Sequence, residues 1–218
     1  MEVQKAVSQT RLSREARRAQ LLASGVRVAA RLGLCRTVHA ELAREAEVSI
    51  ATAFKYFPTR EDLLTAIAAQ VGQFYENIAE TAHKPDIDPD ERLLRHARSY
   101  IDSIDSDPDY VLVWLEWSAS MRNEVGLWDL YVEHHERVLR QIQTTIADAL
   151  PRAAGTELED LARISHALAY PIAHLKLTGS SDDLVLDFVR THLESAFRAR
   201  TRANATPSTE AKEIHDDG

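Results

Sequence analysis

Small, polar and basic side chains cluster between positions 37 and 57 of this 218-residue chain. The spacing of apolar residues predicts two short helices there, over 38–46 and 50–57, separated by a turn at Glu47-Val48-Ser49 and closed by Pro58. The second helix is expected to turn Ile50, Ala53, Phe54 and Phe57 inward. Its outward side would then carry Ala51, Thr52, Lys55 and Tyr56. Small residues let such a helix enter the major groove of DNA, where Thr and Lys contact bases or phosphates.

Two helix starts add backbone donors to this surface. Thr37 and Ser49 are predicted to cap the two helices, so that their free amides point at one phosphate, to which Tyr56 donates its hydroxyl. The pattern therefore predicts a helix-turn-helix at about 38–57, and an ordinary helical corner is the alternative.

The charge distribution favours the same interpretation. Residues 1–60 carry eleven Lys and Arg against five Asp and Glu, or +6, whereas the remainder carries −14 within a total of −8. A basic N-terminal part followed by an acidic remainder favours a polyanionic partner that binds residues 1–60. The alternative is that the surface charge is distributed by chance.

The segments on both sides of this motif are also predicted to be helical. Capping residues, apolar periodicity and breaks predict further helices over 14–32, from Thr59 onward, and over 90–104, 108–121, 126–150, 156–178 and 182–201. About nine helices and no strand indicate an all-α protein. We divide it into a basic N-terminal extension (1–12), a helix-turn-helix DNA-binding domain (13–60), a helical regulatory and dimerisation domain (61–201) and a disordered tail (202–218).

Other kinds of function find little support. The single cysteine, Cys35, is expected to be either a small buried residue or a mildly redox-sensitive one, and a single cysteine excludes a disulfide framework and a thiolate zinc site. The histidines at 134, 135, 166 and 174 lack the spacing for a shared metal ion. No secretion signal and no membrane span is visible, so a cytoplasmic protein without cofactor or metal, and not an enzyme, is expected.

The run SIATAFKYFPTREDL, residues 49–63, resembles the signature of the TetR family of transcriptional regulators. The segments TRLS (10–13), HAELA (39–43) and WLEWSAS (114–120) make the chain similar to the HapR/LuxR-type quorum-sensing master regulators in particular. The resemblance is dense over about 10–76 and 111–125 and thinner beyond.

This resemblance implies a homodimeric, all-helical transcription factor that represses and also activates genes at pseudo-palindromic operators. It implies that Arg11 and Arg14 enter the minor groove, and it adds His39 to the DNA-binding residues. Lys55 stands where the subgroup typically has Asn, and Thr37-Val38 replaces a Gly pair, so operator preference is not inherited. The alternatives are a TetR-type repressor of a local operon that a small lipophilic ligand releases from DNA, and a helical enzyme or adaptor.

The second domain is expected to hold an apolar pocket and a dimer interface, although its aromatic stripe is also typical of plain core. The predicted pocket wall consists of Phe74, Ile78, Trp114, Met121, His135, Leu139 and Tyr170. For this subgroup the resemblance implies no natural effector. The apolar faces of the last two long helices are expected to pair with the same helices of a second subunit in a four-helix interface. A dimer is expected because each operator half-site is bound by one helix-turn-helix. The predicted interface residues are Leu161, Leu168, Ile172, Phe188 and Leu193; the alternative is that these helices only cap their own core.

Overall fold

The computed structural model describes residues 12–120, 125–151 and 153–205, and these ranges contain helices and no strand. The predicted all-α class is confirmed. In chain order the elements are α1 (Arg14–Leu32), a 3-10 turn (Leu34–Arg36), α2 (His39–Glu45), α3 (Ile50–Tyr56), α4 (Arg60–Ala82), α5 (Pro89–Ser106), α6 (Pro108–Ser120), α7 (Val125–Ala149), α8 (Thr156–Ala167), α9 (Ala169–Leu177) and α10 (Asp182–Ala205).

Local capping explains where α1 and α4 begin. The Ser13 hydroxyl accepts the Ala16 amide at 3.1 Å, and α1 ends at Gly33, whose φ of +90° suits a residue without a side chain. At the start of α4, the Thr59 amide donates to the Asp62 carboxylate at 2.9 Å, while the Asp62 amide donates back to the Thr59 hydroxyl at 3.0 Å. This reciprocal pair is a capping box.

The predicted helix over 156–178 is instead divided at Leu168 into α8 and α9. Pro171 accounts for the division, because it has no amide hydrogen to donate to the carbonyl of Ala167 and its ring crowds the preceding turn. The next amide, that of Ile172, donates to the Leu168 carbonyl at 3.1 Å and begins the new helix.

The chain forms two compact units, and the first comprises Met1–Phe74 with Asp107–His135. Within it α1 packs against α6 and α2, and α2 packs against α3. The His134 side chain of α7 lies against α4 at Gly72, where a Cβ atom would be 2.5 Å from the His134 ring. The buried Trp117 indole donates to the Leu127 carbonyl at 2.8 Å, which fixes α6 against the start of α7.

The second unit comprises Tyr75–Ser106 and Glu136–Gly218. In its described part, α5 packs on α9 and α10, and α10 also contacts α8. The buried Arg92 guanidinium donates to the carbonyls of Ile87 and Pro85 at 2.7 and 2.9 Å and to the Asp148 carboxylate at 2.5 Å. The charged guanidinium can remain buried because each of its three nitrogens donates to an acceptor. The predicted functional boundaries at 13–60 and 61–201 stay a prediction.

Candidate nucleic-acid interface

The α2 and α3 helices form a helix-turn-helix held together by a small apolar core. Fully or almost fully buried side chains fill the space between the two helices: Leu42, Ala43, Ala46, Ala53 and Phe57. The turn between them contains Glu47 with a φ of +53°, a left-handed conformation that a side chain disfavours. The geometry of the motif is therefore fixed by packing strong enough to hold one strained turn residue.

Thr37 and His39, both predicted to face DNA, have buried side chains. The Thr37 hydroxyl donates to the Gly33 carbonyl at 3.0 Å, and the His39 Nε2 donates to the Phe57 carbonyl at 2.6 Å. Val38, not Thr37, is the N-cap of α2, and it makes no side-chain capping bond. The Thr37 bond therefore stabilises the turn between α1 and α2, and the His39 bond joins α2 to the end of α3, which corrects the prediction that these two side chains face DNA.

The outward face of α3 carries Ala51 and Lys55, which are exposed, and Thr52 and Tyr56, which are half-buried. The Ser49 hydroxyl accepts the Thr52 amide at 3.1 Å, as predicted for a cap, and also lies 2.8 Å from the Thr52 hydroxyl. Ile50 and Phe54 were expected to point inward, but they are 50% and 46% exposed. A helix of seven residues has only a narrow inner side, which Ala53 already occupies.

Several arginines of this unit are neutralised by acidic neighbours. Arg27 and Arg31 both bind Glu45, at 2.9 and 3.2 Å, and Arg44 binds Glu41 at 2.7 Å. The exposed Arg14 and Lys55, by contrast, make no hydrogen bond or salt bridge within the described part of the chain. They are therefore among the cations available to a phosphate or a base edge, together with the exposed Arg18, whose guanidinium lies 5.7 Å from the centroid of the Phe57 ring. Arg11 lies outside the described residues.

A support for this motif comes from α6 and was not predicted from the sequence. The Glu116 carboxylate accepts the Leu34 amide at 2.8 Å, at the turn that joins α1 to α2. The space is available because Gly33 lacks a side chain; a Cβ atom there would lie 3.1 Å from Glu116 Oε1. The only indication of this contact in the sequence is the acidic residue inside the WLEWSAS segment. Its hydrogen-bond partner lies 82 positions away in the sequence, so the contact could not be predicted.

The predicted pocket residues are divided between the two units. Phe74, Trp114 and His135 belong to the first unit, where the Phe74 ring lies 4.3 Å from that of Tyr110 and the His135 ring lies 5.7 Å from that of Tyr131. Ile78, Leu139 and Tyr170 belong to the second, where Leu139 is buried and Tyr170 is exposed. Met121 lies outside the described residues. A ligand pocket stays a prediction.

The residues predicted for a dimer interface fall into two groups. Leu161, Ile172 and Leu193 are buried in the core of their own unit, which differs from the predicted position at a subunit surface. Leu168 and Phe188 are half-buried. The exposed apolar side chains of α8, α9 and α10 are Ile164, Tyr170, Leu177 and Leu184.

A groove of about 410 Å³ between α5 and α10 is lined by Leu93, Leu94, Arg190, Leu193, Glu194, Phe197 and Arg198.

Other chemistry receives no geometric support in the described ranges. Cys35 is exposed rather than buried, because it lies in the 3-10 turn on the surface side. No group of three His, Cys, Asp or Glu side chains there is arranged to hold a metal ion. Likewise, none of the described helices is both long and apolar enough to cross a lipid bilayer.

Together, the helix-turn-helix, its exposed cations and the all-helical second unit define a DNA-binding regulator. The family described as bacterial regulatory proteins, tetR family, matches residues 21–67. The HTH-type transcriptional regulator LuxR of Vibrio harveyi is 33% identical over 188 residues, which cover 85% of this chain and 91% of that protein. The chain belongs to the TetR family of bacterial transcriptional regulators. These proteins regulate transcription and are not enzymes.

Solved structures of low identity share the fold. A transcriptional regulator from Pseudomonas aeruginosa PAO1 has a TM-score of 0.76 at 14% identity, covering 91% of this chain and 99% of that one. A transcriptional regulator from Saccharomonospora viridis in complex with choline has a TM-score of 0.68 at 24% identity, covering 85% and 97%. These similarities show a shared fold over most of this chain.

Proposed function

We propose that this protein is a homodimeric regulator of the HapR/LuxR type, which represses some genes and activates others in response to cell density. The observation that carries the proposal is the 33% identity to Vibrio harveyi LuxR over nearly the full length of both chains. Because it acts on bacterial DNA, the protein works in the cytoplasm, without cofactor or metal and without a catalytic role.

The proposed DNA contacts are made by the side chains and amides that face outward from the helix-turn-helix. Ala51 and Lys55 meet base edges or phosphates, the free amides at Ser49 bind a phosphate, and Tyr56 donates its hydroxyl to another. Arg11 and Arg14 enter a narrow, A·T-rich minor groove beside the half-site. Support comes from the exposure of Arg14, Ala51 and Lys55.

Selection of genomic fragments by the full-length protein tests this function. We expect enrichment of many promoters that share a pseudo-palindromic site with A·T-rich flanks, and reporter fusions that fall into repressed and activated sets. An absence of enrichment at low salt, where phosphate contacts are strongest, would contradict the proposal.

The second candidate is a repressor of a local operon that a small ligand releases from DNA. The choline complex of the Saccharomonospora viridis structure favours it, since that fold holds a small cation. One or two enriched sites beside the protein's own gene, and loss of operator binding on addition of choline or a lipophilic cation, would support this candidate. Unchanged fluorescence anisotropy with these compounds would count against it.

A further inference from the structure

The helix-turn-helix exposes an apolar row in a unit otherwise suited to a polyanion. Ile50 and Phe54 lie one turn apart on α3, so that their side chains form one continuous row, and about half of each is exposed. Val38, the N-cap of α2, is 39% exposed and precedes His39, the residue on which Phe54 packs. Exposing two large apolar side chains in seven residues is unfavourable unless they meet a partner.

This row has a fixed position. The Phe54 ring stacks on the His39 ring, with centroids 3.9 Å apart and planes 9° from parallel. His39 is itself held by its 2.6 Å hydrogen bond to the Phe57 carbonyl at the end of α3. One face of the phenyl ring is therefore covered and anchored by His39, while about half of the Phe54 side chain stays exposed.

The row lies where base edges are read. In a helix-turn-helix, the N-terminal residues of the second helix contact base edges in the major groove, and Ile50 is the first residue of α3. The apolar feature of an unmodified major groove is the C5-methyl group of thymine. Beside this row lie Ala51, whose side chain is small, and Lys55, whose side chain is cationic. Both side chains are compatible with binding of DNA to this face of α3.

We propose that Ile50 and Phe54 are specificity-determining residues that contact thymine C5-methyl groups in each operator half-site. This inference rests on the proposed DNA-binding function and adds the base chemistry of the site. A protein partner seated on the same row is the competing occupant. The position of the row in the first turns of the reading helix, next to the unpaired ammonium of Lys55, favours DNA.

Deoxyuridine substitution isolates the methyl group, because uracil pairs with adenine as thymine does and lacks only that group. Each thymine of the selected operator is replaced in turn, and the Kd of the full-length dimer is measured by fluorescence anisotropy. We expect at least one position in each half-site to lose about four-fold in affinity, the equivalent of about 0.8 kcal/mol for one buried carbon.

The variant Ile50→Ala links the effect to the protein. It should weaken binding to the thymine operator but cause little further loss on the operator that already carries uracil at the sensitive position. Leu112→Ala, which shortens an equally exposed apolar side chain on α6, is the matched control and should change neither Kd. Phe54→Leu, with its fold checked by thermal unfolding, provides a second variant because Phe54 also packs on His39.

The possible results separate the two proposals. Specific binding that tolerates uracil at every position, or an Ile50→Ala loss that is equal on both operators, overturns the inference and leaves the proposed function standing. Equal losses combined with unchanged fold would instead assign the row to a contact other than a thymine methyl group. A failure to select any operator overturns the proposed function and this inference together.

Discussion

At the scale of single residues, Lys55 is the cation best placed to read the operator. Lys55→Ala should weaken specific binding by about 1–3 kcal/mol, because an exposed ammonium on the reading helix loses a base or phosphate partner. Fluorescence anisotropy at several salt concentrations measures the loss and shows by a shallower log–log slope whether a phosphate contact has gone.

The control for this prediction is Lys84→Ala, which removes an exposed lysine from the second unit. It should leave affinity and fold unchanged. If Lys55→Ala binds the selected operator as tightly as the unaltered protein, the assignment of α3 as the reading helix is wrong.

Glu47 is the second informative residue, because its φ of +53° places a side chain in the left-handed region. Glu47→Gly should stabilise the protein by up to about 1 kcal/mol, since glycine adopts this conformation without steric cost. Urea denaturation measures the change. Glu47→Ala, which removes the carboxylate and keeps a Cβ atom, should give no such gain; an equal gain in both variants would trace the effect to charge.

At the scale of elements, Gly72 of α4 leaves the space that the His134 ring of α7 occupies within the first unit. Gly72→Ala would place a Cβ atom 2.5 Å from Cγ of the buried His134 ring, and the ring is not a flexible end that can swing away. We expect destabilisation by about 1–3 kcal/mol, the usual range for overpacking.

Gly126→Ala is the matched control, because its nearest contact would be Glu61 Oε1 at 3.9 Å. Alanine favours the helix over glycine, so this variant should be stabilised by about 0.5–1 kcal/mol in urea denaturation. Comparable unfolding midpoints for the two variants would show that the His134 ring is packed less tightly against Gly72 than described.

At the scale of the whole molecule, dimer formation needs apolar surface that the protomer does not bury itself. Ile164→Glu and Leu184→Glu replace exposed side chains of α8 and α10, and we expect each to give folded monomers that lose operator binding. Sedimentation velocity, together with circular dichroism, separates this result from unfolding.

Leu161→Glu provides the contrast, since Leu161 is fully buried within the second unit. It should unfold that unit rather than give a folded monomer. An intact dimer in both surface variants would mean that the subunits meet through another face.

A buried histidine pair makes the stability of the second unit depend on pH. His83 Nε2 lies 3.0 Å from His96 Nδ1, and His83 Nδ1 lies 2.8 Å from the Thr145 hydroxyl. Burial, with the nearby Arg92 charge, lowers the pKa of His83 from 6.5 to about 4; burial, with His83 beside it, lowers the pKa of His96 to about 3. Both rings are therefore neutral in the folded protein at pH 5–7.

The unfolded chain binds protons at these histidines below about pH 6.5, whereas the folded chain does so only near pH 4 and below. The free energy of unfolding should therefore keep its whole contribution from these histidines above pH 6.5. Below that pH it should fall as the pH drops toward 4, by up to about 1.4 kcal/mol per pH unit for each histidine. Urea denaturation from pH 7.5 to 5 measures this slope. His96→Gln should make it shallower, and replacement of the exposed His174 should not; an unchanged slope in His96→Gln would refute the linkage.

Four features could be predicted from the residues alone: the all-α class, the bounds of α1, the capping box before α4 and the cap of α3. These features depend on contacts within one helical turn, such as Ser13 with Ala16 and Thr59 with Asp62, so the residue types and their spacing suffice. The helix-turn-helix followed from the same local signals, and its family from the motif at 49–63.

Which side of each helix is buried depends on packing against helices distant in the sequence. Apolar residues surround much of α3, and the space beside α2 accepts Ala53 but leaves Ile50 and Phe54 outside. The burial of Thr37 and His39, the Glu116–Leu34 bond and the place of Leu161 in the protomer core likewise depend on residues distant in the sequence. Periodicity identifies an amphipathic helix, but the neighbouring helix decides which apolar row becomes core and which remains free to bind.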